Sequence, residues 1–301
     1  MNPFQVLSRY RALNPAQKQI LRDKRLELSM PPDAWFRFLR EISDFDRHGD
    51  STRKVFGVLA IVLPVLALIS GIIAGKGGLP QSAMPWVFGS IGGLFLLCFA
   101  IWASLRGQDL DNKLRDFVMP MILVLREEMN PKDKLTLEAD FRGAQSDDKL
   151  ISERTFNPEG GHYPEVNETI YSDPWLIGKA RFADGGSLVW RIEEKLRKRA
   201  ICKRNPRGKI KHKNKFKIKQ QISIRLGLPR KRYQLVSAGQ DELSNDRVEI
   251  RETDKRYTFK IQRTSISDEP GSGLRIQEFL DPLAEAYRRV RPVTKKQGDM
   301  P

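Results

Sequence analysis

Two blocks interrupt an otherwise mixed pattern of apolar and polar positions. Residues 55–75 give 21 consecutive uncharged positions, and residues 84–105 give 22. About 20 apolar residues in a helix cross the hydrocarbon core of a bilayer, so the pattern predicts two transmembrane helices. The segment between them, residues 76–83, is mostly Gly, Pro and small polar types and predicts a short turn. Trp86 and Trp102 fall near the ends of the second block, where interfacial aromatics collect. Pro64 is a candidate kink in the first. Neither block holds an ionisable side chain, so the spans read as an anchor rather than an ion or proton path.

Ala67, Gly71 and Gly75 recur at four-residue spacing, as do Gly89 and Gly93. Small residues so spaced let helix backbones approach closely. The approach serves either packing of the two spans on each other or a homo-oligomer through Gly71, Gly75, Gly89 and Gly93.

Helical periodicity flanks the blocks. Asn14-Pro15 reads as an N-cap with Pro at the first helical position, with Ile20, Leu21, Leu26 and Leu28 along one side. Trp35, Phe38, Leu39, Ile42 and Phe45 predict a second helix from about Asp33, lying in the membrane interface or packed on soluble structure. Beyond the second block, Leu110, Leu114, Phe117, Met121 and Val124 form a short seam that Pro120 interrupts, which predicts a stalk helix.

From about Lys132 the period becomes two. Leu135, Leu137, Ala139 and Phe141 alternate with polar residues as in a half-buried strand. Residues 143–174 are polar and read as a long loop. Asp184-Gly185-Gly186 and Thr253-Asp254-Lys255 each predict a hairpin turn. The expected domain has six or seven mostly antiparallel strands in a sandwich or barrel, followed by a helix over residues 274–290. The organisation is thus N-terminal amphipathic helices (1–54), a first span (55–75), a non-cytoplasmic loop (76–83), a second span (84–105), a stalk (106–131), a cytoplasmic β-domain (132–267) and a C-terminal helix with tail (268–301).

Charge sets orientation. Arg37, Arg40, Arg47, Arg53 and Lys54 precede the spans, and Arg106, Lys113 and Arg115 follow them, against Lys76 alone in the loop. The excess predicts a multi-pass protein with both termini cytoplasmic. The compact hairpin and the absence of a recognisable targeting signal suggest a bacterial inner membrane.

The net charge of +16 is local. Residues 195–232 contain 17 Lys and Arg and no Asp or Glu, so the rest of the chain carries −1. Within that stretch Lys209, Lys211, Lys213, Lys215, Lys217 and Lys219 occupy every second position, which on a strand puts all six on one face. Pairing Leu196 with Phe216 and Cys202 with Ile210 buries the opposite parity, and sets Lys203 against Lys209, Arg199 against Lys213, Arg197 against Lys215 and Lys195 against Lys217. Opposed like charges cost roughly 0.2 to 1 kcal/mol per pair, so the ribbon is held at an energetic disadvantage of about 1 to 3 kcal/mol. These ten residues are the candidate anion-binding site. A solvated face that blocks edge aggregation is the plainer alternative.

The position of the ribbon favours anionic membrane lipid or an acidic protein partner. Nucleic acid held by its phosphates is the other possibility, although only Phe216 and Tyr233 could stack within the basic stretch. No catalytic motif, cofactor motif or metal-ligand spacing is present: the three histidines are scattered, Cys98 and Cys202 stand alone, and Glu193 and Glu194 must point to opposite faces of a strand. The expected function is therefore a non-enzymatic, membrane-anchored interaction protein.

Overall fold

A computed structural model describes residues 3–76, 80, 82–157, 165–204, 210–236, 246–268 and 273–293. The chain divides into two compact units, Met1–Lys24 with Phe38–Leu110 and Arg25–Arg37 with Asp111–Pro301.

The first unit is helical. Helix α1 spans Pro3–Ala12 and α2 spans Pro15–Asp23. Asn14 caps α2 as its sequence predicts: its side chain accepts from the Gln17 N–H at 2.8 Å, and the Gln17 side chain accepts from the Asn14 N–H at 2.8 Å. The helix ends where Lys24 turns left-handed, with φ 53°, so Leu26 and Leu28 do not lie on it. They belong to a strand instead, because a left-handed residue closes the helix one turn before them.

Helix α3 runs unbroken over Pro32–Gly75, 44 residues, and α4 spans Met84–Gly107. Gln17, with no exposed surface, ties α2 to α3 by donating to the Phe38 carbonyl at 3.0 Å and to Glu41 at 2.8 Å. Both α3 and α4 contain segments long and apolar enough to cross a membrane, and only 6% of each such segment is buried. A core helix of a soluble protein would hide these side chains; here Ile61 is 70% exposed. The helices touch at glycines: a Cβ on Gly57 would come within 3.2 Å of Trp102, and one on Gly71 within 3.6 Å of Phe88. Gly71 thus serves packing within the hairpin, whereas Gly89 and Gly93 face open space.

The second unit is built on one sheet. Its strands are β1 Arg25–Met30, β2 Leu135–Asp140, β3 Leu150–Phe156, β4 Glu165–Arg181, β5 Ser187–Arg204, β6 Ile210–Pro229, β7 Tyr233–Leu235, β8 Arg247–Glu252, β9 Arg256–Ser267 and β10 Val290–Pro292. Eight form an antiparallel sheet in the order β1-β2-β4-β5-β6-β9-β8, with β3 on the free edge of β4; β7 and β10 pair separately. Among the described residues no pairing joins β1 to β8, so the sheet is open, neither the sandwich nor the barrel that strand count suggested.

The expected loop at 143–174 is also corrected. It holds a short helical turn Asp147–Lys149, all of β3 and the first half of β4. Strand β3 is exposed on nearly every residue, so no apolar alternation marks it. Strand β4 bulges between Asp173 and Leu176, where Pro174 has no N–H to give the ladder.

One face of this sheet is the core. Leu176, Ile192 and Ile222 align across β4, β5 and β6, and so do Leu188, Leu226 and Phe259 across β5, β6 and β9. Gly178 opposes Trp190, and a Cβ there would meet the indole at 2.1 Å, so only glycine fits. Helix α5, Met119–Glu128, continues directly from a π-helical turn at Leu114–Val118, and Pro120 falls two residues past that turn. Phe117 packs edge-on against Trp175 and against Phe279 of α6, Ile276–Arg288. Phe279 and Leu283 of α6 are buried.

Candidate anion-binding face

The outward face of the sheet is set by parity. Leu196 and Ile218 pack inward with Ala144, so Lys195, Arg197 and Arg199 of β5 and Lys211, Lys213, Lys215, Lys217 and Lys219 of β6 point the other way. All five of these β6 lysines are exposed, and among the described residues none has an acidic partner within salt-bridge distance. Lys203 is placed by its backbone only, opposite Lys211, and Lys209 lies outside the described residues.

The register differs from the expected one by two residues. Leu196 pairs with Ile218 and Cys202 with His212, so the opposed cations are Lys203–Lys211, Arg199–Lys215, Arg197–Lys217 and Lys195–Lys219. The reason lies on the core face. The observed register places Ile192 against Ile222 and Glu194 against Gln220, whereas the expected one would have set Ile192 against Gln220. A shift of two keeps every side chain on its face, so the ribbon survives with new partners.

Strands β3 and β4 add what the ribbon alone did not reveal. Arg154, Glu168, Arg199 and Lys215 stand in one row across β3, β4, β5 and β6. Glu168 is 1% exposed. It accepts from Arg154 Nε at 2.8 Å and Nη2 at 2.5 Å, and from Arg199 Nε at 2.5 Å, while Arg197 Nε lies 3.9 Å away. Burial pushes its carboxyl up, but the hydrogen bonds from Arg199 and Arg154 outweigh burial and hold it below the usual carboxylate range. Val166, Glu168, Ile170 and Ser172 share a parity in the sequence, yet that alternation has meaning only once residues 165–172 are known to be a strand.

Basic residues continue along the same face. Arg225 pairs with Val189 and Lys260, and Arg191 with Ile177 and Ser223; Arg191, Arg225 and Lys260 line a shallow depression of about 430 Å³. Between them and the ribbon, Glu193 accepts from Ser172 at 2.5 Å and lies 3.6 Å from Lys195. A second, open depression of about 730 Å³ is lined by Arg197, Arg199, Lys215, Lys217, Asn214, Phe216 and Asp268.

On the core face a polar row crosses the apolar one. Glu194 does point opposite to Glu193 and meets Lys113 at 2.9 Å. Lys149 lies 2.7 Å from Asp173 and 3.3 Å from Asp140. A cavity of about 250 Å³ is lined in part by Lys113, Glu194, Trp175 and Gln220. Its cation is already matched by carboxylates, which is the arrangement of a buried structural ion pair.

In the first unit, Asp46, Asp50 and Asp109 bring carboxylate oxygens within 4.8 Å of one another, a cluster the sequence reading did not name. Arg53 contacts both Asp50, at 3.0 Å, and Asp109, and Asp46 accepts the Leu110 N–H at 3.2 Å. The guanidinium supplies the counter-charge there. Cys98 and Cys202 are both free thiols.

Comparison with protein-family models, with curated proteins and with solved structures finds no match.

Proposed function

We propose that the chain is a membrane-anchored, non-enzymatic interaction protein whose basic sheet face binds the anionic phospholipid headgroups of the leaflet beside it. In this reading α3 and α4 cross a bacterial inner membrane as a hairpin with both termini in the cytoplasm, an orientation that the flanking Arg and Lys support. The second unit resumes at Asp111, four positions after α4 ends at Gly107, so its sheet stays near the membrane at a high effective concentration.

The observation that carries the reading is the row of five β6 lysines with no acidic partner among the described residues, set against further cations of β5. A few scattered lysines suffice to prevent edge pairing; β9 covers β6 only over Ile218–Pro229, so among the described residues Lys211, Lys213, Lys215 and Lys217 lie on the uncovered stretch, and it is their strict alternation opposite the cations of β5 that exceeds the needs of edge protection. Each Lys or Arg brought to an anionic leaflet contributes about 1 kcal/mol, so five more than offset the ribbon's internal repulsion.

The test uses the full chain in lipid nanodiscs of phosphatidylcholine alone or mixed with phosphatidylglycerol, followed by amine-reactive labelling and peptide mapping. Lys211, Lys213, Lys215 and Lys217 become protected in the anionic discs, and added salt removes the protection. Equal labelling in both discs excludes lipid as the partner. Protection by RNA in neutral discs would then support the nucleic-acid alternative, in which phosphates are held without base readout.

A further inference from the structure

We propose that Arg197, Arg199, Lys215 and Lys217 form a seat for a phosphomonoester, the dianionic phosphate at the head of a membrane lipid, with Glu168 as the positioning residue behind the arginines. The seat rests on the reading that this face meets lipid.

Three observations converge on it. Arg199 opposes Lys215 and Arg197 opposes Lys217, two residues apart on each strand. Four cations therefore stand at the corners of a rectangle about 5 Å by 7 Å, the cross-strand and same-face spacings of a sheet. A depression of about 730 Å³ is lined by these four residues together with Asn214, Phe216 and Asp268.

The second observation is Glu168. Two guanidinium groups donate to its carboxylate, from Arg154 and Arg199, and a third, from Arg197, lies within 4 Å. Arg199 uses Nε for this contact, and among the described residues its terminal amines have no acceptor. A guanidinium gripped from behind presents its outer edge in a fixed orientation, which is what two-point recognition of a phosphate requires.

The third is charge. Arg154, Arg197, Arg199, Lys215 and Lys217 face Glu168 and Asp268, five cations against two carboxylates, a net of +3. Glu168 orders the cluster without neutralising it. A phosphomonoester brings close to two negative charges and three acceptor oxygens, whereas a phosphodiester brings one charge and two free oxygens. The surplus and the geometry both favour the monoester.

The experiment titrates the full chain in phosphatidylcholine nanodiscs with phosphatidic acid, a monoester, or phosphatidylglycerol, a diester, at matched surface charge. The readout is the lipid fraction that half-protects Lys215 and Lys217 from amine labelling. Phosphatidic acid is expected to reach half-protection at a severalfold lower fraction. Arg199→Lys and Arg197→Lys, which keep charge but lose the fork, are expected to abolish that preference while phosphatidylglycerol still protects. Glu168→Gln is expected to lose the preference and to strengthen protection by phosphatidylglycerol, a gain that a merely structural role would not give. Equal fractions for the two lipids overturn the seat and leave the lipid-binding face intact. No protection by either lipid overturns both. Protection by inorganic phosphate in discs of phosphatidylcholine alone overturns the lipid as the source.

Discussion

Lys149 holds its ammonium 2.7 Å from a carboxylate oxygen of Asp173, a side chain with no exposed surface. Lys149 is itself 6% exposed and also donates to the Gly143 carbonyl at 3.1 Å. The pair links the turn after β2 to β4 at its bulge. Burial pushes the Asp173 carboxyl up, and the pull of Lys149 and Lys113 works against that rise.

Lys149→Met strands this carboxylate. Breaking a buried pair by removing one partner costs about 3 to 5 kcal/mol. Without Lys149 the folded carboxyl rises further, so the protonated form is favoured in the fold. The loss is then largest above that pKa and shrinks as pH falls through it. Thermal unfolding of the full chain in detergent at pH 8 and pH 5 measures this. Adding Asp173→Asn to the variant is expected to recover most of the loss, and failure to recover would mean the lysine acts elsewhere.

Asp140 gives a pH dependence of the opposite sign. Burial pushes its carboxyl up, but the Arg142 fork at 2.6 Å, the Arg142 N–H and nearby Lys149 prevail and hold it at about 2. The folded pKa is depressed below the unfolded one. The resulting stability, about 1 to 2 kcal/mol after allowance for partial exposure, is fully present above about pH 5 and is lost as pH falls toward 2. In unfolding titrations the gap between the native chain and Asp140→Asn should therefore close across that window. A gap that stays constant would show that the carboxylate contributes no such linkage.

The parts of this fold that sequence discloses are those with one dominant period. The spans show because nothing ionisable interrupts residues 55–75 or 84–105, and β6 shows because six lysines keep strict alternation. Strand β3 and the start of β4 do not show, since an edge strand with both faces in solvent has no apolar period to display. The lysine face was legible, but its rows were not. Leu196 had two apolar partners of equal parity, Phe216 and Ile218, and the choice was made four residues further along the ladder, where Ile192 meets Ile222 rather than Gln220. Glu168 stayed hidden for the same reason: its link to Arg199 exists only across a strand pair that local pattern did not reveal.

The ribbon's repulsion sets stability against binding, and one substitution separates them. Lys217 opposes Arg197, so Lys217→Glu turns a like-charge pair into an opposite one. For exposed side chains the change is worth about 0.5 to 1 kcal/mol of added stability at low salt, and screening removes it at high salt. The same variant is expected to weaken protection of Lys211 and Lys213 by anionic nanodiscs, because it places a carboxylate within the face that meets the lipid. Thermal unfolding and labelling on one preparation decide the matter. A residue kept basic for function becomes more stable and binds less when reversed. If the variant is less stable at low salt, or binds lipid as well as the native chain, the lysines are not being held together for an anion.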